Sequence, residues 1–307
     1  MRILRLLGVV VALVAGVPAS SATLVHSVPA TVAFWDAQHG LALLTRFAPC
    51  GAASSGERVE IERTADGGRT WRPLREACAS ESITTVGSST ALLSVTGGLL
   101  RTTDGGASWS RTLGPSVDAL AFTSPSRGWA VTGGLHRLSL ERTHDGGRTW
   151  SRLGHPCTAE TGKISFVSRM HGWLLCLGEA GAGNQGKSVY ETRDGGSSWQ
   201  LVARAPFGVK AVGTLDSYGY PTDVAFRASG RGWMPQLRGA TLTTRDGGRT
   251  WTPLRVTAPE ARIGVAVSFV SDGTGFILVQ DVVRRQWQLE RTNDGARTWR
   301  VVHAWPM

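Results

Sequence analysis

The segment Thr64-Ala65-Asp66-Gly67-Gly68-Arg69-Thr70-Trp71 occurs, with small changes, six times along this chain of 307 residues. Each copy, which we call a box, has the form Thr-x-Asp-Gly-Gly-x-Ser/Thr-Trp, and only the sixth departs from it, with Ala296 in place of the second glycine. Successive box aspartates lie 38, 41, 49, 52 and 48 residues apart. Repeats of this length are typical of solenoids, propellers and other arrays.

Each box predicts a tight turn between two strands. Glycine adopts positive φ at little cost, and an aspartate carboxylate accepts hydrogen bonds from amides of the turn. The tryptophan begins the outgoing strand and can bury about 150–250 Å². The alternative role of the aspartates is catalysis or metal binding, but we predict a structural role, with a strained or altered last turn at Ala296. The structural residues are Asp66, Gly68, Trp71, Asp104, Gly106, Trp109, Asp145, Gly147, Trp150, Asp194, Gly196, Trp199, Asp246, Gly248, Trp251, Asp294 and Trp299.

The sequence between the boxes predicts short strands. Apolar runs with a Gly-Trp or Gly-Phe step, such as Leu120–Trp129 and Ile164–Trp173, indicate a strand, a polar turn and a second strand. A third strand enters the box and a fourth leaves it, which makes one propeller blade per repeat. We therefore predict an all-β propeller of about six four-stranded blades. The second unit, 83–113, predicts a trimmed blade, and the residues between Ala205 and Thr222 leave room for a seventh.

The pairing of Phe-x5-Gly-Trp with the box resembles the BNR or Asp-box repeat propellers. That superfamily includes sialidases, sortilin-type receptors and photosystem II stability and assembly factor-like proteins. The pairing of the two motifs most resembles the assembly-factor branch. The likeness spans nearly all of residues 31–302. It implies a propeller fold and recognition of a partner protein, although propellers of this kind host unrelated activities.

The resemblance also shows where catalytic residues would lie, and they are not found. Sialidases of this superfamily carry an Arg-Ile-Pro step, three arginines for the substrate carboxylate and a tyrosine nucleophile beside a glutamate. The chain has no Arg-Ile-Pro, and Tyr190 and Glu191 are adjacent, so they point to opposite faces of a strand. No acid spacing marks the carboxylate pair of a hydrolase. We predict no catalytic residue, metal site or cofactor, and keep a glycan-binding or sialidase-like glycoside hydrolase as the alternative.

The N-terminus predicts export. Arg2 and Arg5 precede the apolar run Leu6–Val17 and a small-residue stretch, so residues 1–22 read as a secretory signal peptide and 23–307 as a single domain. An uncleaved anchor is the alternative, whereas cleavage leaves no stable membrane insertion. We therefore expect a secreted or cell-envelope protein that acts as a monomer.

The cysteine count agrees with an oxidising compartment. The mature chain keeps Cys50, Cys78, Cys157 and Cys176, an even number without the close spacing of a zinc site. Three connectivities exist. Blade topology favours Cys50–Cys78 and Cys157–Cys176, because each pair then joins a loop within a blade to the adjoining inter-blade loop.

The charge predicts the chemistry of a partner. The formal net charge of +10 favours an acidic protein face, an anionic glycan or a cell-surface polymer, and the alternative is an arginine-rich solvated surface without such a partner. Export and the lack of a known nucleic-acid-binding module disfavour nucleic acid. A basic rim on the box face has two interpretations. Its arginines dock an acidic partner, or their stems cover the neighbouring tryptophans. The arginines that repeat with the box are Arg63, Arg101, Arg142, Arg291, Arg69, Arg148, Arg249 and Arg297.

The longer loops predict the place of a binding site. Boxes and Gly-Trp turns cap alternate connections of each blade and must share one face of the disc, so the long loops lie on the opposite face. Binding residues concentrate on loops of rigid scaffolds. The stretch 207–220 stands out because it holds two of the three tyrosines. We predict Lys210, Asp216, Tyr218 and Tyr220 as binding residues for an envelope or extracellular protein, with an ordinary surface insertion as the alternative.

Overall fold

The computed structural model describes residues 27–50, 57–113, 117–133, 138–158, 161–206, 214–254 and 262–307. These residues form β-strands and no helix. Accordingly, the described ranges contain no helix long and apolar enough to cross a membrane. The predicted signal peptide, 1–22, and Lys210 lie outside the described residues.

The strands build six four-stranded antiparallel blades, as predicted. Those of blades 1 and 2 are β1 (Ser27–Phe34), β2 (Gly40–Pro49), β3 (Glu57–Thr64), β4 (Arg72–Val86), β5 (Thr90–Val95), β6 (Gly98–Thr102) and β7 (Ser110–Leu113). Those of blades 3 and 4 are β8 (Ala119–Phe122), β9 (Gly128–Gly133), β10 (Leu138–Thr143), β11 (Ser151–Leu153), β12 (Thr161–Phe166), β13 (Gly172–Gly181), β14 (Asn184–Thr192) and β15 (Gln200–Ala205). Those of blades 5 and 6 are β16 (Tyr220–Pro221), β17 (Ala225–Phe226), β18 (Gly232–Met234), β19 (Gln236–Leu237), β20 (Leu242–Thr244), β21 (Thr252–Pro253), β22 (Arg262–Phe269), β23 (Gly275–Asp281), β24 (Gln286–Thr292) and β25 (Arg300–Pro306).

Two departures from a plain repeat matter for the site. Strand β4 is continuous over 15 residues and serves blade 1 with its first half and blade 2 with its second, so the two blades share one sheet. Strands β16 and β19 pair with each other and extend blade 5. The residues from Thr214 to Thr222 thus belong to blade 5 rather than to a seventh blade.

The core lies between the blades. Six clusters of buried side chains each join two neighbouring blades. In blades 3, 4 and 5 the tryptophan of the Gly-Trp step stacks on the first-strand phenylalanine of the next blade. The stacked pairs, with their centroid distances, are Trp129–Phe166 at 3.7 Å, Trp173–Phe226 at 4.1 Å and Trp233–Phe269 at 3.4 Å.

The glycine of this step is required by packing. A Cβ atom on Gly172 would lie 2.5 Å from the ring of Phe166, and the glycines of four other blades face their own phenylalanines in the same way. The phenylalanine ring therefore lies between its own glycine and the tryptophan of the preceding blade. This arrangement explains why the Gly-Trp step and the upstream phenylalanine recur together in the sequence.

Side chains, rather than an exchanged strand, close the ring. Blade 1 begins with β1 and blade 6 ends with β25, and each is continuous in sequence. At their junction Phe34 stacks on Phe276 with centroids 3.6 Å apart, and the Phe34 amide donates to Ser268 Oγ at 2.9 Å. Arg291 Nη1 donates to the carbonyl of Ala37 at 3.0 Å.

The box of blade 3 shows how the turn is held. The Asp145 carboxylate accepts hydrogen bonds from the amides of Arg148 and Thr149, at 3.0 and 2.9 Å, and from the hydroxyls of Thr149 and Thr143, at 2.6 and 2.8 Å. The Gly147 amide donates to Thr143 Oγ1 at 2.9 Å, with Gly147 at φ 88°. The residues that recur in every box thus form one hydrogen-bonded unit.

Each box is also tied to the first turn of its own blade. The amide of the first box glycine donates to a carbonyl of that turn in all six blades, as from Gly146 to Ser126 at 2.8 Å. In the sixth box the Ala296 amide still donates to Thr292 Oγ1 at 2.9 Å, as the glycines do, while Ala296 is held at φ 67°. The last turn therefore keeps its shape, and the strain lies in the positive φ of Ala296, which a residue with a Cβ atom rarely adopts.

Hydrogen bonding keeps the box carboxylates ionised. The Ser198 hydroxyl and then the Ser198 amide, donating to Asp194, lower the pKa of Asp194 to about 2. A carboxylate saturated by the donors of its own turn is a poor candidate for acid–base chemistry near neutral pH.

The structure contains two disulfides, Cys50–Cys78 and Cys157–Cys176, with Cα atoms 5.7 and 5.5 Å apart. This is the pairing that blade topology favours. Disulfides persist in oxidising compartments, so they indicate an extracytoplasmic environment.

Candidate functional site

Three of the four predicted binding residues lie on one short segment, 214–221, which we call the bridging segment. It leads from blade 4 into blade 5 and holds Asp216, Tyr218 and Tyr220. It meets the connection between the second and third strands of blade 4, which is on the face opposite the boxes. The predicted placement on the loop face is therefore seen for these three residues.

Backbone hydrogen bonds on both sides fix the bridging segment. On the blade 4 side the Gln185 amide donates to the Ser217 carbonyl at 2.7 Å, and the Gly219 amide donates to the Gly183 carbonyl at 2.8 Å. On the blade 5 side, Tyr220–Pro221 pairs with Gln236–Leu237. The segment is thus an added strand of the scaffold rather than a free loop.

Among the predicted binding residues that the structure describes, Asp216 and Tyr218 are exposed and Tyr220 is partly buried. The side chain of Tyr218 is 54% exposed, and its ring lies over Gly183 and Gly239, within 3.6 Å of where their Cβ atoms would be. Tyr220 instead accepts a hydrogen bond at its hydroxyl from the Gly183 amide at 2.8 Å, and Asp216 Oδ1 accepts one from the Tyr218 amide at 3.0 Å. Tyr220 therefore ties the segment to blade 4, Asp216 braces the turn while remaining exposed, and Tyr218 presents an exposed aromatic ring.

Sequence reasoning missed Lys187. Lys187 lies on β14, in the hairpin that β14 forms with β13, and it is 1% exposed. Its Nζ donates to the carbonyls of Asp216 at 3.1 Å and Tyr218 at 2.5 Å, so it supports the bridging segment from below. The only signal in the sequence is a lysine at an inward position of a strand pattern, five residues before the box threonine.

Burial changes the acidity of this lysine. Desolvation lowers the pKa of Lys187 to about 8, although the attraction of Asp216 opposes the shift. Because this buried ammonium holds the carbonyls of Asp216 and Tyr218, the conformation of the bridging segment is coupled to the protonation of Lys187.

The pH dependence of stability should reveal this coupling. Between pH 8 and 10.5 the unfolded chain still binds the lysine proton and the folded protein does not, so the free energy of unfolding should rise with pH. Replacing Lys187→Met should remove this rise. Urea unfolding in steps across that range measures both slopes.

The matched control is Arg204→Met, at an exposed cation on the adjoining strand β15. It should keep the wild-type slope, because an arginine stays charged throughout this range. Equal slopes in wild type and Lys187→Met would show that the buried lysine does not titrate there.

A second group of charges lies near the ring axis. The first strands of neighbouring blades contact one another around the ring, so they line its centre. Burial raises the pKa of Asp223, just before β17, to about 6, while Lys163 on β12 opposes the shift. Among the described residues, no three His, Cys, Asp or Glu side chains lie close enough to hold a metal ion.

The box-face arginines bind turns. Arg69, Arg148 and Arg249 each donate to the carbonyl of their own box aspartate, at 2.8, 2.9 and 2.6 Å. Arg101 reaches the Pro125 carbonyl of the next blade at 3.1 Å, as Arg291 reaches blade 1. These contacts engage the guanidinium groups of five of the repeating arginines with backbone carbonyls.

Blade 4 reverses the charge at this position. Glu191 replaces the arginine before the box threonine, and its buried carboxylate binds His171 at 2.8 Å, Arg193 at 2.7 Å and Arg249 of blade 5 at 3.3 Å. The neighbouring Tyr190 packs against the cluster between blades 3 and 4. The Tyr–Glu pair is therefore divided between two blade faces, as the adjacent positions predict, and the glutamate is occupied by cations.

The fold defines the chain as a six-bladed β-propeller. No protein-family model matches it, and no curated protein matches it by sequence. Solved structures match it along most of its length at low identity, so they show the fold alone.

Among these structures is YCF48 bound to D1 peptide, with 17% identity and a TM-score of 0.51 over 91% of this chain and 83% of that one. The GH74 xyloglucanase from Xanthomonas campestris has 12% identity and a TM-score of 0.56 over 88% of this chain and 52% of the enzyme. The Penicillium chrysogenum α-L-arabinanase complexed with arabinobiose has 11% identity and a TM-score of 0.57 over 83% and 89%. YCF48, a xyloglucanase and an arabinanase are thus similar to this chain in fold.

Proposed function

We propose that this protein is an exported, non-catalytic Asp-box propeller that binds an extended segment of a partner protein at the bridging segment. The observation that carries the proposal is the half-exposed Tyr218 ring on a backbone held from both sides. A rigid aromatic side chain offers a large contact area at low entropic cost, which is why tyrosine is enriched at binding hot spots. YCF48, a propeller of similar fold, is described in complex with a peptide.

The surrounding chemistry suits a peptide. Gly183 and Gly239, over which the Tyr218 ring lies, carry no side chains to shield it, so an extended chain can approach the ring closely. Apolar or proline side chains stack on such a ring. The net charge of +10 favours a partner of acidic character, and the disulfides favour one in the cell envelope or outside the cell.

Site-specific photocrosslinking tests the proposal. A benzophenone amino acid at position 218, in the producing cells, should yield one dominant protein adduct identified by mass spectrometry. The matched control places the same probe at position 170, because Met170 is 45% exposed on the box face. Tyr218→Ala should weaken binding of the captured segment about tenfold or more, and Tyr218→Phe should retain it. Equal adducts from both positions, or none from position 218, would contradict the proposal.

Glycoside hydrolysis is the second candidate, and one observation favours it. Burial raises the pKa of Asp223 to about 6, which is a suitable value for a general acid near neutral pH. Two of the similar folds are glycoside hydrolases. Release of sugar from arabinan, xyloglucan or fluorogenic glycosides, abolished by Asp223→Asn, would establish this reading. The scaffold proposal expects no release.

A further inference from the structure

A cavity of about 400 Å³ lies between the outer parts of blades 1 and 2. Apolar groups from both blades line most of it, including Ala77 of β4, Val95 and Leu100 of blade 2 and the indole of Trp109. Its volume falls in the range of about 300–1,000 Å³ that is usual for small-molecule sites. It is separate from the bridging segment, which belongs to blades 4 and 5.

The junction of blades 6 and 1 shows what such a space accommodates. Trp305 follows the box tryptophan by six residues and pairs with Trp287, just as Ala77 follows Trp71 by six and pairs with Val59. Trp305 is 8% exposed, and its ring centroid lies 5.9 Å from that of Trp71, the box tryptophan of the next blade. An indole therefore fills the outer space of that junction.

The equivalent place in blade 1 holds only a methyl group. Ala77 stands where Trp305 stands in blade 6, and the box tryptophan of the next blade is here Trp109. In blade 4 the equivalent residue is Ala205, but Leu215 of the bridging segment packs in the same cluster. Between blades 1 and 2 none of the described side chains takes that role, and the outer strand β7 has only four residues.

Two arginines are the charged residues of the described cavity lining. Arg75 of β4 and Arg111 of β7 line it, and no acidic side chain is among its described lining residues. Arg111 Nη2 donates to the Thr96 carbonyl, which orients the guanidinium at the cavity wall. The Trp109 indole N–H is occupied by the Gly106 carbonyl at 3.0 Å, so its ring offers an apolar surface.

We infer that this cavity binds a small planar aromatic carboxylate. The aromatic ring takes the place that the Trp305 indole occupies at the other junction and lies against Trp109. The carboxylate is held by Arg75 and Arg111, since guanidinium groups match the planar geometry of carboxylates. A neutral arene of the same size loses the ionic contact, and an aromatic amine meets two like charges.

Isothermal titration of the full mature protein with indole-3-propionate, indole and tryptamine tests this site. The acid should bind at least about tenfold more tightly than indole, the value expected for one charge-assisted hydrogen bond, and tryptamine should bind most weakly. Arg75→Gln with Arg111→Gln should make the acid and indole bind equally. Comparable affinity for all three probes would overturn the inference.

The chain itself supplies the matched filling variant. Ala77→Trp reproduces the residue of blade 6, so it should occupy the cavity and abolish binding of the acid without lowering the melting temperature. Retention of binding in a folded Ala77→Trp protein would place the ligand elsewhere and refute the proposal. Should that variant not fold, the pair of arginine variants decides the question, because both side chains lie at the surface of the cavity.

Discussion

Replacing Trp173→Ala should lower the free energy of unfolding by about 3–5 kcal/mol, the usual cost of removing a large buried aromatic side chain. Trp173 is fully buried, and its ring stacks on Phe226 of the next blade. Its indole N–H donates to the Gly247 carbonyl in that blade's box at 2.9 Å. The substitution thus removes the principal contact between blades 4 and 5. Urea unfolding followed by circular dichroism measures the loss.

A conservative variant separates the two contributions. Trp173→Phe keeps an aromatic ring on Phe226 and loses the hydrogen bond. It should therefore lower the free energy of unfolding much less than Trp173→Ala, by on the order of 1 kcal/mol for the hydrogen bond plus a further loss for the smaller ring. Equal losses in the alanine and phenylalanine variants would show that the hydrogen bond, rather than the stack, joins the blades.

Removing the Cys157–Cys176 disulfide by alanine substitution of both residues should lower the free energy of unfolding by about 3 kcal/mol. The bond closes a loop of 19 residues, and the loss of unfolded-state constraint sets this magnitude. Both cysteines are also buried in the cluster between blades 3 and 4, so their packing adds to the loss. Thermal unfolding of the oxidised wild type and the double variant measures it.

The second disulfide provides the comparison. Cys50–Cys78 spans 28 residues, and Cys78 is only partly buried. Its removal should therefore cost a similar entropic amount without the loss of core packing. A reducing agent should destabilise the wild type and leave a variant lacking all four cysteines unchanged. An unchanged melting temperature after removal of Cys157–Cys176 would contradict the expected constraint.

The fold was predictable because its signals are local. A box needs its threonine, aspartate and glycines within a few residues, and the hydrogen bonds of Asp145 all lie inside its own turn. Each phenylalanine also lies close in sequence to the glycine that it packs against, as Phe166 does to Gly172, and the tryptophan that stacks on it comes from the same repeated step of the preceding blade. Short-range chemistry repeated six times specifies the blades.

The candidate site was predictable only in part. Two tyrosines in one loop pointed to the bridging segment, but Tyr220 accepts a backbone hydrogen bond and Tyr218 alone is displayed. Lys187 binds the carbonyl of Tyr218, which lies 31 residues away, and no spacing in the sequence indicates that contact. The cavity beside Ala77 likewise depends on a residue of another blade, and a lone alanine carries no signal.

The sequence by itself determined the repeat, the blade and the number of strands in each, because turns and stacked rings are specified by neighbours along the chain. It favoured the disulfide pairs Cys50–Cys78 and Cys157–Cys176 among three connectivities, and the structure contains that pairing. Only the tertiary structure decided which side chains face solvent, which arginines bind turns and where Lys187 and the cavity lie. The positions of Lys187 and of the cavity depend on contacts between residues far apart in sequence, and the spacing of such residues follows no repeat.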